Sequence, residues 1–213
     1  CKGAFDYSNP NVHCTVEETR RNKIRNNHTA THLMHKALKN ILGDHVNQAG
    51  SLVHPDYLRF DLTHFEKITK NQIVEVEKMV TDQILENKKL EVSIESFDDA
   101  KSQGAEALFG EKYGEEVRVV KVGDYSMELC GGTHVNRTGD IGMFKITEES
   151  SLASGVRRII ALTGTHALEE IQRNHYVLET LQKKLNVSFP EIINRVNTLI
   201  DDKKDLEKKV RKR

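Results

Sequence analysis

The sequence has no tryptophan, only three prolines and no apolar run of 18 residues. A transmembrane helix needs about 20 mostly apolar residues, so we expect no membrane span, and no charged-then-apolar leader opens the chain. The cysteines Cys1, Cys14 and Cys130 are odd in number and irregularly spaced, which does not predict a disulfide framework. This pattern fits a reducing compartment, and we expect a cytoplasmic protein.

The chain also has no excess of one charge. Lys and Arg total 32, and Asp and Glu total 32, so no global basic field indicates a nucleic-acid binder. Any surface for nucleic acid must therefore be local. The 213 residues suffice for one substantial domain and an appendage, while the missing initiator Met and the charged end at residues 210–213 favour a segment of a longer protein.

Two short runs contain a pattern of metal ligands. His28 and His32 lie in NHTATH, and Cys130 and His134 lie in LCGGTH. Each pair is spaced i, i+4, and thiolate with imidazole is the ligand chemistry that Zn²⁺ selects. A lone histidine on a core-facing helix is usually a buried imidazole, but two with a remote Cys-x-x-x-His favour a metal. At this point a structural and a catalytic zinc are equally supported.

Hydrophobic periodicity and capping patterns predict an α+β fold, with helices packed on a mainly antiparallel sheet. Thr15 to Glu18 resembles a capping box that opens the first helix, and Thr69 to Gln72 resembles another. Gly131 and Gly132 allow the chain after Cys130 to bend and to approach a ligand closely. The expected helices are 15–42, one opening at 69, 98–103, 166–185 and one capped by Ser188. The expected strands are 48–53, 57–62, 92–95, 117–122, 126–129, 143–147 and 156–163.

The residue pattern becomes helical throughout after Gly164. This change predicts a domain at 1–165 and a helical tail at 166–213. An apolar stripe in the last helix consists of Ile192, Val196, Leu199, Leu206 and Val210. The spacings of four, three, seven and four residues between these positions resemble those of a coiled-coil seam. Such a seam would permit self-association. A stripe that docks on the domain core is an equally supported interpretation.

Six ordered motifs carry a family resemblance: NHTATHLMH, QAGSLV, RFDLTHF, GAEALFGEKYGEEVRVV, ELCGGTHV and SGVRRI. They resemble the editing domain of alanyl-tRNA synthetases and the related free-standing alanyl-tRNA editing proteins, over roughly residues 15–165. The helical tail is similar to the stretch that follows this domain in the full synthetase. The resemblance implies that the aminoacylation domain, with its ATP and Mg²⁺, is absent from this chain, as is most of the β-rich half that precedes the editing domain.

The resemblance also assigns roles to individual residues. It implies one zinc ion held by His28, His32, Cys130 and His134. Thr31 and Gln48 would lie at the aminoacyl pocket, although a Thr bonded back to its own helix turn and an exposed Gln at a strand end are the plainer alternatives. Arg157 and Arg158 would lie near the tRNA terminus, where only one of two neighbouring strand residues can face a given surface. Ile160 departs from the acidic residue frequent in the family.

The function implied by the resemblance is hydrolysis of Ser-tRNA(Ala), and of Gly-tRNA(Ala), by a segment of an enzyme that attaches alanine to tRNA(Ala). Two alternatives have related chemistry, a free-standing trans-editing deacylase and the editing site of a threonyl-tRNA synthetase. The Gly-Gly-Thr between Cys130 and His134 favours alanine over threonine. A third alternative is a tRNA-binding or oligomerisation module whose zinc is only structural.

Overall fold

A computed structural model describes residues 14–107 and 113–211. Cys1 lies outside the described residues, as do the first residues of the predicted 1–165 domain and residues 108–112 of the GAEALFGEKYGEEVRVV motif. The chain divides into two compact units, Cys1–His166 and Ala167–Arg213. The division falls one residue after the boundary expected from the sequence, and the functions assigned to the two domains remain predictions.

The first unit combines helices with antiparallel strands, so the predicted α+β class is confirmed. Its helices are α1 (Glu18–Leu42), α2 (Lys70–Leu85) and α3 (Phe97–Ser102), with a 3₁₀ turn at Thr138–Ile141. Its strands are β1 (Gln48–Val53), β2 (Leu58–Thr63), β3 (Leu90–Ser96), β4 (Glu116–Val122), β5 (Ser126–Leu129), β6 (Phe144–Ala153) and β7 (Val156–Thr163).

The strands form two sheets, with orders β1-β2-β7-β6 and β3-β4-β5. Each pair of neighbouring strands in these sheets is antiparallel. Helix α1 contacts β2 and β7 of the larger sheet and β5 of the smaller one. Leu33, Met34 and Leu38 of α1 are fully buried in one core with Phe60 and Ile159 of the larger sheet. Burying each such side chain stabilises the fold by about 1.5–3 kcal/mol, which fixes α1 against both sheets.

The ends of the helices can be compared with the capping residues predicted from the sequence. Thr69 and Gln72 form the predicted capping box of α2. The predicted box at Thr15 to Glu18 is wrong, because Glu17 is the N-cap of α1 and its carboxylate accepts a 2.7 Å hydrogen bond from Arg20 N. A carboxylate near a helix N-terminus also interacts favourably with the helix dipole. Gly43 ends α1 with φ of 115°, a backbone conformation that favours glycine.

The second unit continues α4 (Gly164–Leu185) into a 3₁₀ turn at Phe189–Glu191 and α5 (Ile192–Arg211). Ser188 and Glu191 cap this turn reciprocally, as expected from the sequence. Leu206 and Val210 of the apolar stripe are 61% and 73% exposed, and self-association through that stripe remains a prediction. Among residues 14–107 and 113–211, the helices are too short or too polar to cross a membrane.

Candidate metal centre

Helix α1 and the loop after β5 bring the four predicted ligands together. One ligand atom from each of His28, His32, Cys130 and His134 lies within 4.8 Å of the others. Cys130 Sγ lies 3.4 Å from His28 Nε2 and 3.3 Å from His134 Nε2. A tetrahedral Zn²⁺ with ordinary bond lengths would place sulfur and nitrogen ligands about 3.5 Å apart. The donor set and these separations therefore fit a zinc ion.

The loop that carries Cys130 is held from β4. Arg118 Nη1 donates hydrogen bonds to Cys130 O at 2.6 Å and to Gly132 O at 2.9 Å. Cys130 N donates in turn to Arg118 O at 3.0 Å, and Gly132 N donates to Cys130 Sγ at 3.4 Å. An N–H that points at a thiolate stabilises its charge. This network fixes the direction of the Cys130 side chain.

The two glycines after Cys130 are not equivalent. A Cβ on Gly132 would lie 2.5 Å from His28 Nδ1 and closer still to Cε1, whereas a Cβ on Gly131 would meet no atom within 4 Å. Neither glycine adopts the positive φ found at Gly43. The sequence predicts that these glycines let the chain bend and let it approach a ligand closely. The close approach applies to Gly132, which lies against the ligand residue His28. The imidazole of His28 fills the space that a side chain would take.

Burial favours the neutral form of the three histidines in the cluster. Burial, with a contribution from His32, lowers the pKa of His28 to about 4 and that of His134 to about 2. Burial also lowers the pKa of His32. A metal requires imidazoles with a free lone pair, and at neutral pH these residues are in that form.

A buried carboxylate that sequence reasoning missed lies beside the cluster. Glu128 Oε2 is 3.4 Å from His32 Nε2, and Glu128 Oε1 is 3.4 Å from His35 Nδ1. Burial by itself raises the pKa of Glu128, but the adjacent imidazoles outweigh burial and lower it. Carboxylates beside metal-binding imidazoles orient the rings. Sequence spacing offered a signal, because Glu128 lies in β5 only two residues before Cys130.

A second missed residue is Thr29, which is fully buried in α1. Its Oγ1 lies 3.1 Å from His134 Nδ1 and accepts a 3.2 Å hydrogen bond from Val135 N. Because His134 Nε2 faces Cys130 Sγ, we assign the ring proton to Nδ1, which then donates to Thr29. The contact thus leaves the Nε2 lone pair directed into the cluster. Nothing in local spacing predicts it, since Thr29 and His134 are 105 residues apart.

The two predicted pocket residues form hydrogen bonds within their own elements. Thr31 is buried, and its hydroxyl donates to Asn27 O at 2.8 Å, which is the back-bonded arrangement considered from the sequence. Gln48 opens β1, and its Nε2 donates to Ser51 Oγ at 3.1 Å. The Thr31 hydroxyl retains lone pairs as acceptors, and the Gln48 amide retains its carbonyl oxygen. Their contact with an aminoacyl group remains a prediction.

The two predicted phosphate-binding arginines form ion pairs inside the larger sheet. Arg157 Nε donates to Glu149 Oε1 at 2.7 Å. Arg158 forms a bidentate pair with the buried Asp61, through Nε at 2.7 Å and Nη2 at 2.9 Å. As neighbours in β7, the two arginines point to opposite faces. Their charges are already balanced by carboxylates.

This chain is similar to a known protein family and to several known proteins. The family described as "Threonyl and Alanyl tRNA synthetase second additional domain" matches residues 117–160, which include Cys130 and His134. An alanine–tRNA ligase from Pseudoalteromonas translucida is 48% identical over 95% of this chain and 23% of that protein. Ligases from Acetivibrio thermocellus and Myxococcus xanthus are 50% and 54% identical over 93% and 87% of this chain, and 23% and 21% of those proteins. The chain thus spans about a quarter of the length of the curated relatives it matches.

Proposed function

Because the chain belongs to the alanine–tRNA ligase family as one segment of it, we propose that it carries a zinc-dependent editing site. The site hydrolyses the ester of Ser-tRNA(Ala), and that of Gly-tRNA(Ala), and spares Ala-tRNA(Ala). The observation that carries the proposal is the convergence of two histidines from α1 with the Cys-x-x-x-His loop after β5. The tRNA(Ala) acceptor end is the partner, and alanine attachment with ATP and Mg²⁺ is assigned to sequence outside this chain.

Such a site is needed because an alanine pocket discriminates weakly. A difference of one methyl group is worth only about 1–3 kcal/mol, and a pocket rejects an added hydroxyl by only about a hundredfold. Glycine and serine therefore pass the first selection at a measurable rate. A second site that hydrolyses the products restores accuracy.

The four ligand residues hold the metal, and the surrounding residues arrange the substrate. Bound zinc supplies Lewis-acid polarisation of the reacting ester or of a water molecule. Cys130 is a thiolate ligand in this arrangement, so it does not act as an acyl nucleophile. Thr31 donates its proton to Asn27 O, so its hydroxyl serves substrate only as an acceptor. The amide of Gln48 offers donor and acceptor to the hydroxyl of serine.

The proposal is tested by deacylation of Ser-tRNA(Ala) and Ala-tRNA(Ala) by the parent protein that contains this segment. We expect faster hydrolysis of Ser-tRNA(Ala), and Gln48→Ala should lower the serine-to-alanine rate ratio because a hydrogen bond to the serine hydroxyl is lost. Gln103→Ala, which changes an exposed glutamine after α3, is the matched control and should leave the ratio unchanged. Equal hydrolysis of both substrates by wild type would contradict the function, and an unchanged ratio in Gln48→Ala would remove Gln48 from recognition.

Thr29→Val is expected to weaken zinc binding about 10- to 100-fold, the usual effect of losing a hydrogen bond that orients a ligand imidazole. Valine keeps the shape but cannot accept from Val135 N or from His134 Nδ1. Zinc affinity is measured by competition with a chromogenic chelator, with circular dichroism to confirm folding. Thr29→Ser keeps the hydroxyl and should bind zinc nearly as tightly as wild type. Wild-type affinity in folded Thr29→Val would show that Thr29 does not orient His134.

A further inference from the structure

A third buried histidine lies on the metal-binding side of α1 but outside the group of proposed ligands. His35 follows His32 by three residues, so the two side chains are neighbours on one face of the helix. It is only 6% exposed, and it is not one of the four residues whose ligand atoms converge. A buried polar ring destabilises the fold unless its nitrogens find hydrogen-bond partners. The partners of His35 therefore indicate what it does.

One ring nitrogen of His35 faces the buried carboxylate of Glu128. His35 Nδ1 lies 3.4 Å from Glu128 Oε1, and Glu128 Oε2 lies 3.4 Å from His32 Nε2. The carboxylate thus lies between the two imidazoles, with one oxygen toward each ring. Because a carboxylate only accepts hydrogen bonds, we assign a proton to His35 Nδ1. A continuous line of contacts leads from the proposed zinc ligand His32 through Glu128 to His35.

The other ring nitrogen of His35, Nε2, is buried without a hydrogen-bond partner among residues 14–107 and 113–211. His35 also lines a small cavity of about 40 Å³. A water molecule needs a cavity of at least about 10–15 Å³, whereas sites for organic ligands measure about 300–1,000 Å³. The cavity therefore has room for water and is too small for an organic ligand.

The charges around this cavity are balanced, which favours water over an ion. Its wall contains two lysines and two glutamates, Lys36, Lys39, Glu106 and Glu128. Lys39 Nζ donates to Glu106 Oε1 at 2.6 Å, and the two imidazoles face Glu128. The wall also contains Tyr125, whose hydroxyl donates to Leu33 O at 3.2 Å and keeps lone pairs as acceptors. A water molecule, which both donates and accepts, matches such a wall.

We propose that His35 is a positioning residue of the metal centre, which holds Glu128 against His32 and is itself held by a water molecule bound to Nε2 in the cavity. The inference rests on the proposed function, because it concerns the ligands of the same zinc ion. In this arrangement His35 touches neither the metal nor the substrate. It fixes the carboxylate, the carboxylate fixes the ring of His32, and the direction of that ring determines how tightly it binds zinc.

Two amide substitutions separate the two contacts of His35. The side-chain amide of asparagine reaches the position of Nδ1, whereas that of glutamine reaches the position of Nε2. His35→Asn therefore keeps a donor to Glu128, and we expect a zinc affinity close to that of wild type. His35→Gln loses that donor and should bind zinc about three- to tenfold more weakly, less than the 10- to 100-fold effect of losing a residue that contacts a ligand directly. Chelator competition with the 213-residue chain measures both affinities, and circular dichroism confirms folding.

A double-mutant cycle tests whether His35 acts through Glu128. Glu128→Gln alone should weaken zinc binding about 10- to 100-fold. Adding His35→Gln to it should weaken binding no further, because the carboxylate that His35 holds is already gone. The visible spectrum of the Co²⁺-loaded chain gives a second readout, since a rotated His32 ring changes the ligand field. We expect shifted bands for His35→Gln and wild-type bands for His35→Asn.

His175→Gln is the matched control, because His175 of α4 also faces a glutamate, with Nε2 3.3 Å from Glu179 Oε1, but is exposed and lies outside the cluster. It should leave the zinc affinity and the Co²⁺ spectrum unchanged. The water is tested in a crystal structure of the zinc-bound chain, where we expect an ordered water molecule within about 3.2 Å of His35 Nε2.

Four results would each overturn the inference. They are a cavity without that water, wild-type zinc affinity in folded His35→Gln, equal weakening by the asparagine and glutamine variants, and an equal loss from His35→Gln with and without the Glu128 carboxylate.

Deacylation by the parent protein separates this inference from the proposed function. If Ser-tRNA(Ala) is hydrolysed while folded His35→Gln binds zinc as tightly as wild type, the function stands and the role of His35 is wrong. If His35→Gln weakens zinc binding as expected but Ser-tRNA(Ala) is not hydrolysed, His35 positions a metal ligand and the editing proposal is wrong.

Discussion

Cys130→Ala in the parent protein is expected to weaken zinc binding by more than about 100-fold and to abolish hydrolysis of Ser-tRNA(Ala). Loss of an orienting residue alone costs about 10- to 100-fold in metal affinity, and Cys130 is a proposed ligand that lies 3.3–3.4 Å from two of the histidine nitrogens. Its removal leaves three imidazoles, a weaker set for Zn²⁺. Zinc content by atomic absorption and the single-turnover rate of deacylation measure the two effects.

Cys14→Ala is the matched control, because Cys14 is an exposed cysteine outside the cluster. It should retain wild-type zinc content and rate. A folded Cys130→Ala that clears Ser-tRNA(Ala) at the wild-type rate would remove Cys130 from the site.

Metal removal distinguishes an editing site from the structural-zinc alternative. If a chelator abolishes hydrolysis while circular dichroism and the melting temperature stay close to the metal-bound values, the zinc serves the reaction. If the first unit unfolds as zinc leaves, the binding energy of the metal is folding energy. That result would favour a tRNA-binding or oligomerisation module with a structural zinc.

Local patterns predicted most of the elements well. Strands β1, β5 and β7 have the predicted bounds, and α2 begins at the predicted capping box. These signals depend on neighbouring residues, through side-chain alternation and through reciprocal capping bonds. The predicted five-residue strand at 143–147 became the ten-residue β6 because its second half pairs with β7 across a two-residue turn. Its polar sequence gave no hydrophobic signal there.

Contacts between distant residues could not be predicted in the same way. The division of the strands into sheets of four and three depends on which edges meet in the folded chain. Spacing within β7 indicated that Arg157 and Arg158 face opposite sides, but their partners Glu149 and Asp61 come from other strands. For the same reason, the sequence suggested four metal ligands but missed Thr29 and Glu128, whose roles depend on groups brought close by the fold.

Gly132→Ala is expected to disrupt the metal centre although it adds only one methyl group. The new Cβ would lie 2.5 Å from His28 Nδ1, far inside van der Waals contact, so the His28 ring or the loop must move. Overpacking of this kind costs about 1–3 kcal/mol in stability. Moving either group separates His28 Nε2 from Cys130 Sγ, which are 3.4 Å apart. We expect at least about tenfold weaker zinc binding, comparable to other losses of ligand orientation, with a lower melting temperature.

Gly131→Ala makes the same chemical change one residue earlier and is the control. A Cβ at Gly131 meets no atom within 4 Å, and its backbone lacks the positive φ that would strain alanine. It should therefore retain zinc affinity and keep or slightly raise the melting temperature, since alanine restricts the unfolded chain. Chelator competition and thermal unfolding of both variants check the pair. Equal behaviour of the two would show that His28 does not occupy the space beside Gly132, and the assignment of His28 as a ligand would then lose its geometric basis.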